Sequence, residues 1–448
     1  MPKRIVIIGA HAAGVEAASA AKKTDRNAAI TLVTREKYAG YSRCGLPFVI
    51  GGQIPTFKDL IVFPRAYFQM TKVDLKTETE VKVLDTKNKA VDIQSKTGTT
   101  ETLPFDSLIL ATGAFPFIPP IPGIEKKGIR PLRTLEDGEK IDQAVKSGAK
   151  TAVVLGAGLI GLETAIALRE RGLKVTVVEL LPDVLPNMFD ADMAKIIQEM
   201  LEQKGIVVLT GKSIREILGK EKVTSIIADG EEFKGDMFMS AFGVRPNTQL
   251  AVDAGIQLGI TKAIKTNARM ETNVENIYAA GDCAETTNII TQQPTLPGLG
   301  TVAVRQGRTA GINAANGYSI FTGALGSAVS KLFETECGVT GLTEAAARSA
   351  RLETVTGTIS SKTRAEYYPR ARPIRVKLVF ERESQRIIGA QIIGGEEVTQ
   401  RINAMSLAIQ RQMCARDLSK ADTAYAPPVC ETWEPFVLAA EMAIMKLR

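Results

Sequence analysis

One pattern that occurs twice constrains this chain more than any other feature. Ile5-Val6-Ile7-Ile8 runs into Gly9-Ala10-His11-Ala12-Ala13-Gly14 and then a small-residue stretch through Ala21. Far downstream, Thr151-Ala152-Val153-Val154-Leu155 runs into Gly156-Ala157-Gly158-Leu159-Ile160-Gly161, then Glu163 and a helical stretch ending near Arg171-Gly172. Each copy reads as a buried strand, a tight glycine turn and a helix N-terminus. That arrangement aims backbone N–H groups and the positive end of a helix at a pyrophosphate. Two such units predict an α/β chain that holds two dinucleotides.

The second copy is the cleaner one. Leu173-Lys174-Val175-Thr176-Val177-Val178 reads as its second strand and ends in Glu179. A carboxylate there accepts hydrogen bonds from the adenosine ribose hydroxyls. Leu180-Leu181 follow, so a 2′-phosphate would meet a negative charge with no cation beside it. NADH is therefore expected over NADPH. In the first copy His11 and Ala13 stand where such loops often carry glycine, and strand Ala29–Val33 is followed by Thr34-Arg35-Glu36, so the acid comes late. A lone glycine loop is weak evidence, but in the second copy strand, spacing and terminal acid together favour a dinucleotide over a purely structural turn, whereas the first copy alone carries less weight.

The 448 residues predict roughly three domains. A net charge of +7 raises the question of nucleic acid, but no Lys/Arg block is interleaved with aromatics. The basic groups are expected to meet anionic cofactors and substrates instead. No apolar run approaches the ~20 residues needed to span a bilayer. Met1-Pro2-Lys3-Arg4 leads straight into the first strand, with no export leader, so the expected compartment is the cytoplasm. The five cysteines Cys44, Cys283, Cys337, Cys414 and Cys430 are scattered. That spacing fits neither a disulfide framework nor a zinc site.

Two later segments support the first copy. Leu108-Ile109-Leu110-Ala111-Thr112-Gly113 reads as a buried strand ending in a small turn, and Glu275–Asp282 as another with an acid at its carboxyl end. Together these resemble the paired motifs of the pyridine nucleotide-disulfide oxidoreductase superfamily. The resemblance spans the chain. It implies that Gly9, Gly14, Arg35, Glu36, Ala111, Thr112, Gly113 and Asp282 bind FAD, with Asp282 on the ribityl chain. Leu299–Gly307, including Thr301 and Ala303, matches the helix under the isoalloxazine, and Ser240-Ala241-Phe242-Gly243 repeats the Ala-Thr-Gly turn in the middle domain. Gly156, Gly158, Gly161, Glu163, Glu179 and Gly243 are the implied NADH ligands, Glu163 lying near the nicotinamide. The implied plan is two Rossmann-like domains plus an α+β dimerisation domain. FAD would take 1–115 and 244–322, NAD(P) 116–243, and dimerisation 323–448, with Arg375–Phe380 and Ile387–Gly394 as a hairpin.

Cys44 lies in Tyr41-Ser42-Arg43-Cys44-Gly45-Leu46-Pro47. A single cysteine is often just a small apolar residue. Small neighbours, the adjacent Arg43 and an expected helix start instead favour a thiolate, and the resemblance places the redox cysteine here. Dithiol relatives carry C-x-x-x-x-C, whereas Val49 stands five residues after Cys44. They also need a C-terminal histidine, and the only histidine of this chain is His11. The single-cysteine branch remains: coenzyme A-disulfide reductases, NADH oxidases, NADH peroxidases and persulfide reductases. Thr423-Ala424-Tyr425-Ala426-Pro427-Pro428 resembles the Y-A-P-P motif of coenzyme A-disulfide reductases, whose tyrosine reaches the partner subunit's active site. Glu366-Tyr367-Tyr368-Pro369 resembles their other tyrosine motif, with Tyr367 as the candidate and Tyr368 its rival. Gly40–Arg43 departs from the S-F-x-N that precedes their cysteine, and His11 is third in its loop where peroxidases place histidine fourth. Cys430 reads either as a structural residue or as a resolving thiol.

The expected partners are a small disulfide, a persulfide or oxygen, within a homodimer whose subunits share the active site; coenzyme A is a further candidate ligand. Three readings stay open. They are a disulfide or persulfide reductase passing electrons from NADH through flavin to Cys44, an NADH oxidase, and an NADH-responsive sensor with little turnover.

Overall fold

The duplicated motif builds two parallel sheets of matching design. The computed structural model describes residues 1–447. In the first sheet the strands run Ile277–Ala279, Ser107–Leu110, Arg4–Ile8, Ala29–Val33, Val73–Lys76, all parallel. In the second they run Ile129–Arg130, Met237–Ser240, Thr151–Leu155, Lys174–Val178, Ile206–Leu209, again all parallel. The central strand of each is an uninterrupted β-branched and aliphatic run, as burial on both faces requires. Each sheet also has a three-stranded antiparallel appendage, residues 79–104 on the first and 214–234 on the second.

The outermost strand beside the motif's third strand differs in origin. In the first sheet it is Ile277–Ala279, which the chain reaches only after completing the second sheet; in the second it is Ile129–Arg130, which precedes the motif. The chain crosses between the units on two short strands, Ala114–Pro116 and Val244–Pro246, paired antiparallel. Helix Gly300–Ala314 returns to pack on helix Ala12–Thr24. A Cβ on Gly307 or Gly311 would overlap the carbonyl oxygen of Ala13 or Ala17, so small residues set this close crossing.

The remainder is a five-stranded antiparallel sheet in the order Ala328–Leu332, Thr335–Gly341, Ile387–Gly394, Pro373–Glu381, Thr354–Lys362. Residues 375–380 and 387–394 do pair as expected, with a register shift between Val379 and Phe380. Helices Val398–Gln410 and Pro435–Leu447 cover this sheet. A buried ionic knot fastens it to the middle unit: Lys377 Nζ lies 3.2 Å from Asp190, 2.7 Å from Asp192 and 2.6 Å from Glu344. Burial opposes charge on this amine, but the three carboxylates win and its pKa is raised. Among the described residues no helix is long and apolar enough to cross a membrane.

Candidate active site

The two glycine turns superpose in their hydrogen bonding as well as their sequence. Gly9 N–H donates to Val33 and Ala111 N–H to Ile8, while Gly156 N–H donates to Val178 and Ala241 N–H to Leu155, all at 2.8 Å. Gly9 and Gly156 have φ of +109° and +116°, and a Cβ on either would overlap the carbonyl of Ala111 or Ala241. Gly14 and Gly161 lie against the carbonyls of Gly9 and Gly156. The cradles are therefore built by backbone close approach, the reason such positions take glycine. Around Gly158 a Cβ would meet nothing, which leaves room for a phosphate at that helix start.

Register also explains the late acid of the first copy. Val33 and Val178 occupy matching places opposite Ile8 and Leu155, so Thr34 is the counterpart of Glu179. Glu36, two residues on, turns back to the loop. Its carboxylate accepts from Tyr41 Oη at 2.6 Å and from Arg43 Nη2 at 2.5 Å, with His11 Nε2 3.1 Å away. Burial would push this carboxyl up, but the His11, Arg43 and Tyr41 contacts outweigh it and hold the pKa at about 2. Burial lowers the pKa of His11, although its contact with Glu36 opposes the shift. Arg35, the other candidate here, is exposed.

This geometry corrects one expectation. Arg43 does not serve its neighbour Cys44, because its guanidinium is committed to Glu36. The cation that does act on the thiol is Arg133. Arg133 Nη2 pairs with Asp282 Oδ2 at 3.2 Å, both side chains about four-fifths buried. Cys44 sits in the single turn Arg43–Gly45 ahead of the short helix Leu46–Ile50 and keeps exposed surface. The protein around it still strips enough water from the thiol to raise its pKa. Glu163 and Asp282 raise it further, and Arg133 opposes them. The only local signal for Arg133 is its place just before the capping box Thr134–Asp137; nothing in sequence joins it to Asp282.

Replacing Arg133 with Met should therefore raise the Cys44 pKa further, deplete the thiolate at pH 7.5 and slow its alkylation there. The check is the pH dependence of Cys44 alkylation by iodoacetamide, followed by mass spectrometry of that peptide. A profile coincident with the unaltered protein would refute the role given to Arg133.

Behind Asp282, the cleft is lined by Gly281, Pro297, Leu299, Ala303 and Gln306. Gln306 accepts from Gly281 N–H at 2.8 Å, while its own buried Nε2 has no partner. Thr301, the second residue of its helix, is exposed, and Thr112 Oγ1 donates to the Asn247 carbonyl at 2.6 Å. Gly113 and Gly243 both take positive φ, +67° and +91°, where the chain leaves each sheet for the crossover. On the second unit, Glu163 accepts from Ser330 Oγ of the C-terminal sheet at 2.7 Å, and burial raises its pKa. Glu179 accepts from the N–H groups of Ala157 at 2.7 Å and Leu181 at 2.8 Å. A carboxylate has about four acceptor sites, so both oxygens keep a lone pair for hydroxyl donors. Leu180 and Leu181 beside it are exposed.

The tyrosines of the two distant motifs meet. Tyr367 Oη lies 3.0 Å from Tyr425 Oη, which favours Tyr367 over Tyr368. Both are exposed, and no hydrogen bond among the described residues of one chain joins either to Cys44. The Tyr425 contact raises the Tyr367 pKa. Cys430 Sγ is held locally, 3.1 Å from the Ala424 carbonyl oxygen.

Comparison with known families accounts for nearly the whole chain. Residues 3–307 match the pyridine nucleotide-disulphide oxidoreductase family and residues 327–436 match its dimerisation domain. The chain belongs to the pyridine nucleotide-disulphide oxidoreductases. It is 45% identical to an NADH oxidase of Methanocaldococcus jannaschii, over 99% of both chains. It is 34% identical to a coenzyme A-dependent NAD(P)H sulfur oxidoreductase of Pyrococcus abyssi, over 98% of both. A NAD-dependent persulfide reductase from A. fulgidus superposes with a TM-score of 0.96 at 39% identity, covering 99% of this chain and 83% of that one. This oxidoreductase thus has the α/β architecture of FAD- and pyridine-nucleotide-dependent enzymes, with a dimerisation domain that implies a homodimer. Its own residues fit two dinucleotides: two glycine cradles, two helix starts, an orphaned Gln306 amide beside Asp282, and Glu179 with free lone pairs.

Proposed function

We propose that this oxidoreductase uses NADH to reduce a low-molecular-weight disulfide or persulfide, coenzyme A-linked, through FAD and Cys44. The observation that carries the reading is the position of Cys44. It is the exposed thiol of the five and feels Asp282, Arg133 and Glu163 together, whereas buried Cys283 feels Asp282 and buried Cys337 feels Glu163. When bound, FAD takes a hydride from NADH and supplies an electron pair to sulfur.

The chain's residues prepare the partners on either side of that transfer. Gly9, Gly14 and the start of helix Ala12–Thr24 hold the FAD diphosphate, and Asp282, steadied by Arg133, holds the ribityl chain. Gly156, Gly158 and Gly161 receive the NADH diphosphate, Glu179 its ribose, and Glu163, fixed by Ser330, orients the nicotinamide. As thiolate, Cys44 attacks one sulfur of R–S–S–R, forms Cys44–S–S–R and releases RS⁻, which takes a proton. Two electrons then cleave the mixed disulfide, restoring the Cys44 thiolate and freeing the second thiol. The sum NADH + H⁺ + RSSR → NAD⁺ + 2 RSH balances; with R–S–SH the products are RSH and H₂S. Tyr425, hydrogen-bonded to Tyr367, serves as the proton donor to the leaving thiolate, from the second subunit of the dimer. Free thiols at all five cysteines accord with a cytoplasmic setting.

The test is steady-state NADH consumption with coenzyme A disulfide, polysulfide or oxygen as sole acceptor. Fast turnover with a sulfur acceptor and slow turnover with oxygen is the expected result. The similarity to an NADH oxidase favours a second reading, in which Cys44 cycles as a sulfenate and oxygen is the fast acceptor. Slow rates with all three would leave the sensor reading standing.

A further inference from the structure

The segment that carries Tyr425 has few ties to the rest of the molecule. Between Thr423 and Trp433 its hydrogen bonds are local turns, such as those from Val429 and Cys430 N–H to the Ala426 carbonyl, apart from the contact with Tyr367. Trp433 is exposed. The next residue, Glu434, is buried and pairs with Arg401. Arg401 lies on helix Val398–Gln410, with its side chain only 6% exposed. Its Nε and Nη2 grip the two Glu434 oxygens, the second at 3.1 Å. The same Nη2 reaches the Thr363 carbonyl at 3.4 Å. Thr363 opens the other tyrosine loop, four residues before Tyr367, and the adjoining Arg364 is bound by Glu396 at the start of the same helix. Glu434 in turn accepts from Val437 and Leu438 N–H, through its backbone carbonyl, at the start of the last helix.

One guanidinium thus ties down both loops whose hydroxyls meet. The two anchors are four and nine residues from their tyrosines, and an arginine's planar fork grips carboxylate and carbonyl in fixed geometry. We propose that Arg401 is a positioning residue for the Tyr367–Tyr425 pair, clamping Glu434 to Thr363 so that both hydroxyls are presented together to the partner subunit's thiol site. This rests on the reading of Tyr425 as proton donor. Arg401 touches no reacting atom and acts through the two loops.

The experiment uses the full-length, FAD-loaded protein and its only tryptophan, Trp433, which adjoins the clamp. Arg401→Met should lower Trp433 anisotropy and increase its quenching by acrylamide. It should cut NADH turnover with coenzyme A disulfide on the order of 10-fold to 100-fold, the cost of misplacing a catalytic group by about 1 Å. NADH–ferricyanide activity, which bypasses sulfur, should be unchanged. Tyr425→Phe should lose disulfide turnover without altering Trp433, and the double variant should lose no more than the worse single one. Glu434→Gln, which keeps shape and one acceptor oxygen, applies the same test if Arg401→Met does not fold. Unchanged Trp433 and turnover in Arg401→Met overturn the clamp, as does a double variant whose losses multiply. Full disulfide turnover in Tyr425→Phe overturns the proton-donor reading itself, and is told apart because it appears without any change at Arg401.

Discussion

With Cys44 replaced by Ser, disulfide- or persulfide-driven NADH consumption is expected to fall by at least about 10³-fold, in line with removal of a nucleophile that acts with its neighbours as a unit. The serine hydroxyl has no comparable anion near neutral pH and forms no sulfur–sulfur bond, so neither the attack nor the mixed disulfide survives. The glycine cradles, Asp282, Glu163 and Glu179 are untouched, so NADH should still bleach the bound flavin at the unaltered rate. Stopped-flow absorbance of the flavin and steady-state turnover measure the two halves separately. Retention of full disulfide turnover by Cys44→Ser would end the thiol mechanism. Loss of both halves would place Cys44 in the flavin site's structure instead of its chemistry. Oxygen consumption by the same variant separates the oxidase reading. Release of hydrogen peroxide in place of water would mark a sulfenate cycle broken at Cys44.

The second large effect concerns the dinucleotide. Glu179→Ala removes the carboxylate proposed to receive the adenosine ribose hydroxyls, and hydrogen bonds to a charged group contribute about 1.5–3 kcal/mol each. Two such bonds lost should raise the KM for NADH by at least about 100-fold. Adding Leu180→Arg puts a guanidinium where the exposed Leu180 now stands, able to grip a 2′-phosphate bidentately, and NADPH should then be preferred. The measurement is kcat/KM for both cofactors with a fixed acceptor. Unaltered NADH kinetics in Glu179→Ala would remove Glu179 from the binding site. Part of the loss reflects the Ala157 and Leu181 N–H groups, which also lose their acceptor; thermal unfolding of the cofactor-free variant isolates that share.

Much of the site was legible because it is local. Gly9, Gly14, Gly156 and Gly161 sit in a strand–turn–helix unit whose geometry admits little else, and Glu179 is reached by counting along one strand. The tyrosine motifs were legible as motifs, but their meeting was not, since 58 residues separate two hydroxyls 3.0 Å apart. Arg43 shows how adjacency misleads. It is the nearest cation to Cys44 in sequence, yet a side chain answers to what surrounds its tip, and there Glu36 captures it. Arg133 is 89 residues from Cys44 and 149 from Asp282, and the fold pairs it with Asp282 and brings both charges within electrostatic range of Cys44.

The sequence by itself determined that two strand–glycine-turn–helix units exist, that an acid directly follows the second strand of the second unit, and that a single cysteine without a C-terminal histidine stands near the first. Those follow from periodicity, backbone sterics and inventory, which act over a few residues. Only the tertiary structure decided which charges act on that cysteine, that Thr34 and not Glu36 is the positional counterpart of Glu179, and that Arg401 ties both tyrosine loops. The reason is that electrostatics and hydrogen bonding depend on distance through space, and sequence separation carries no record of it until the sheets have packed.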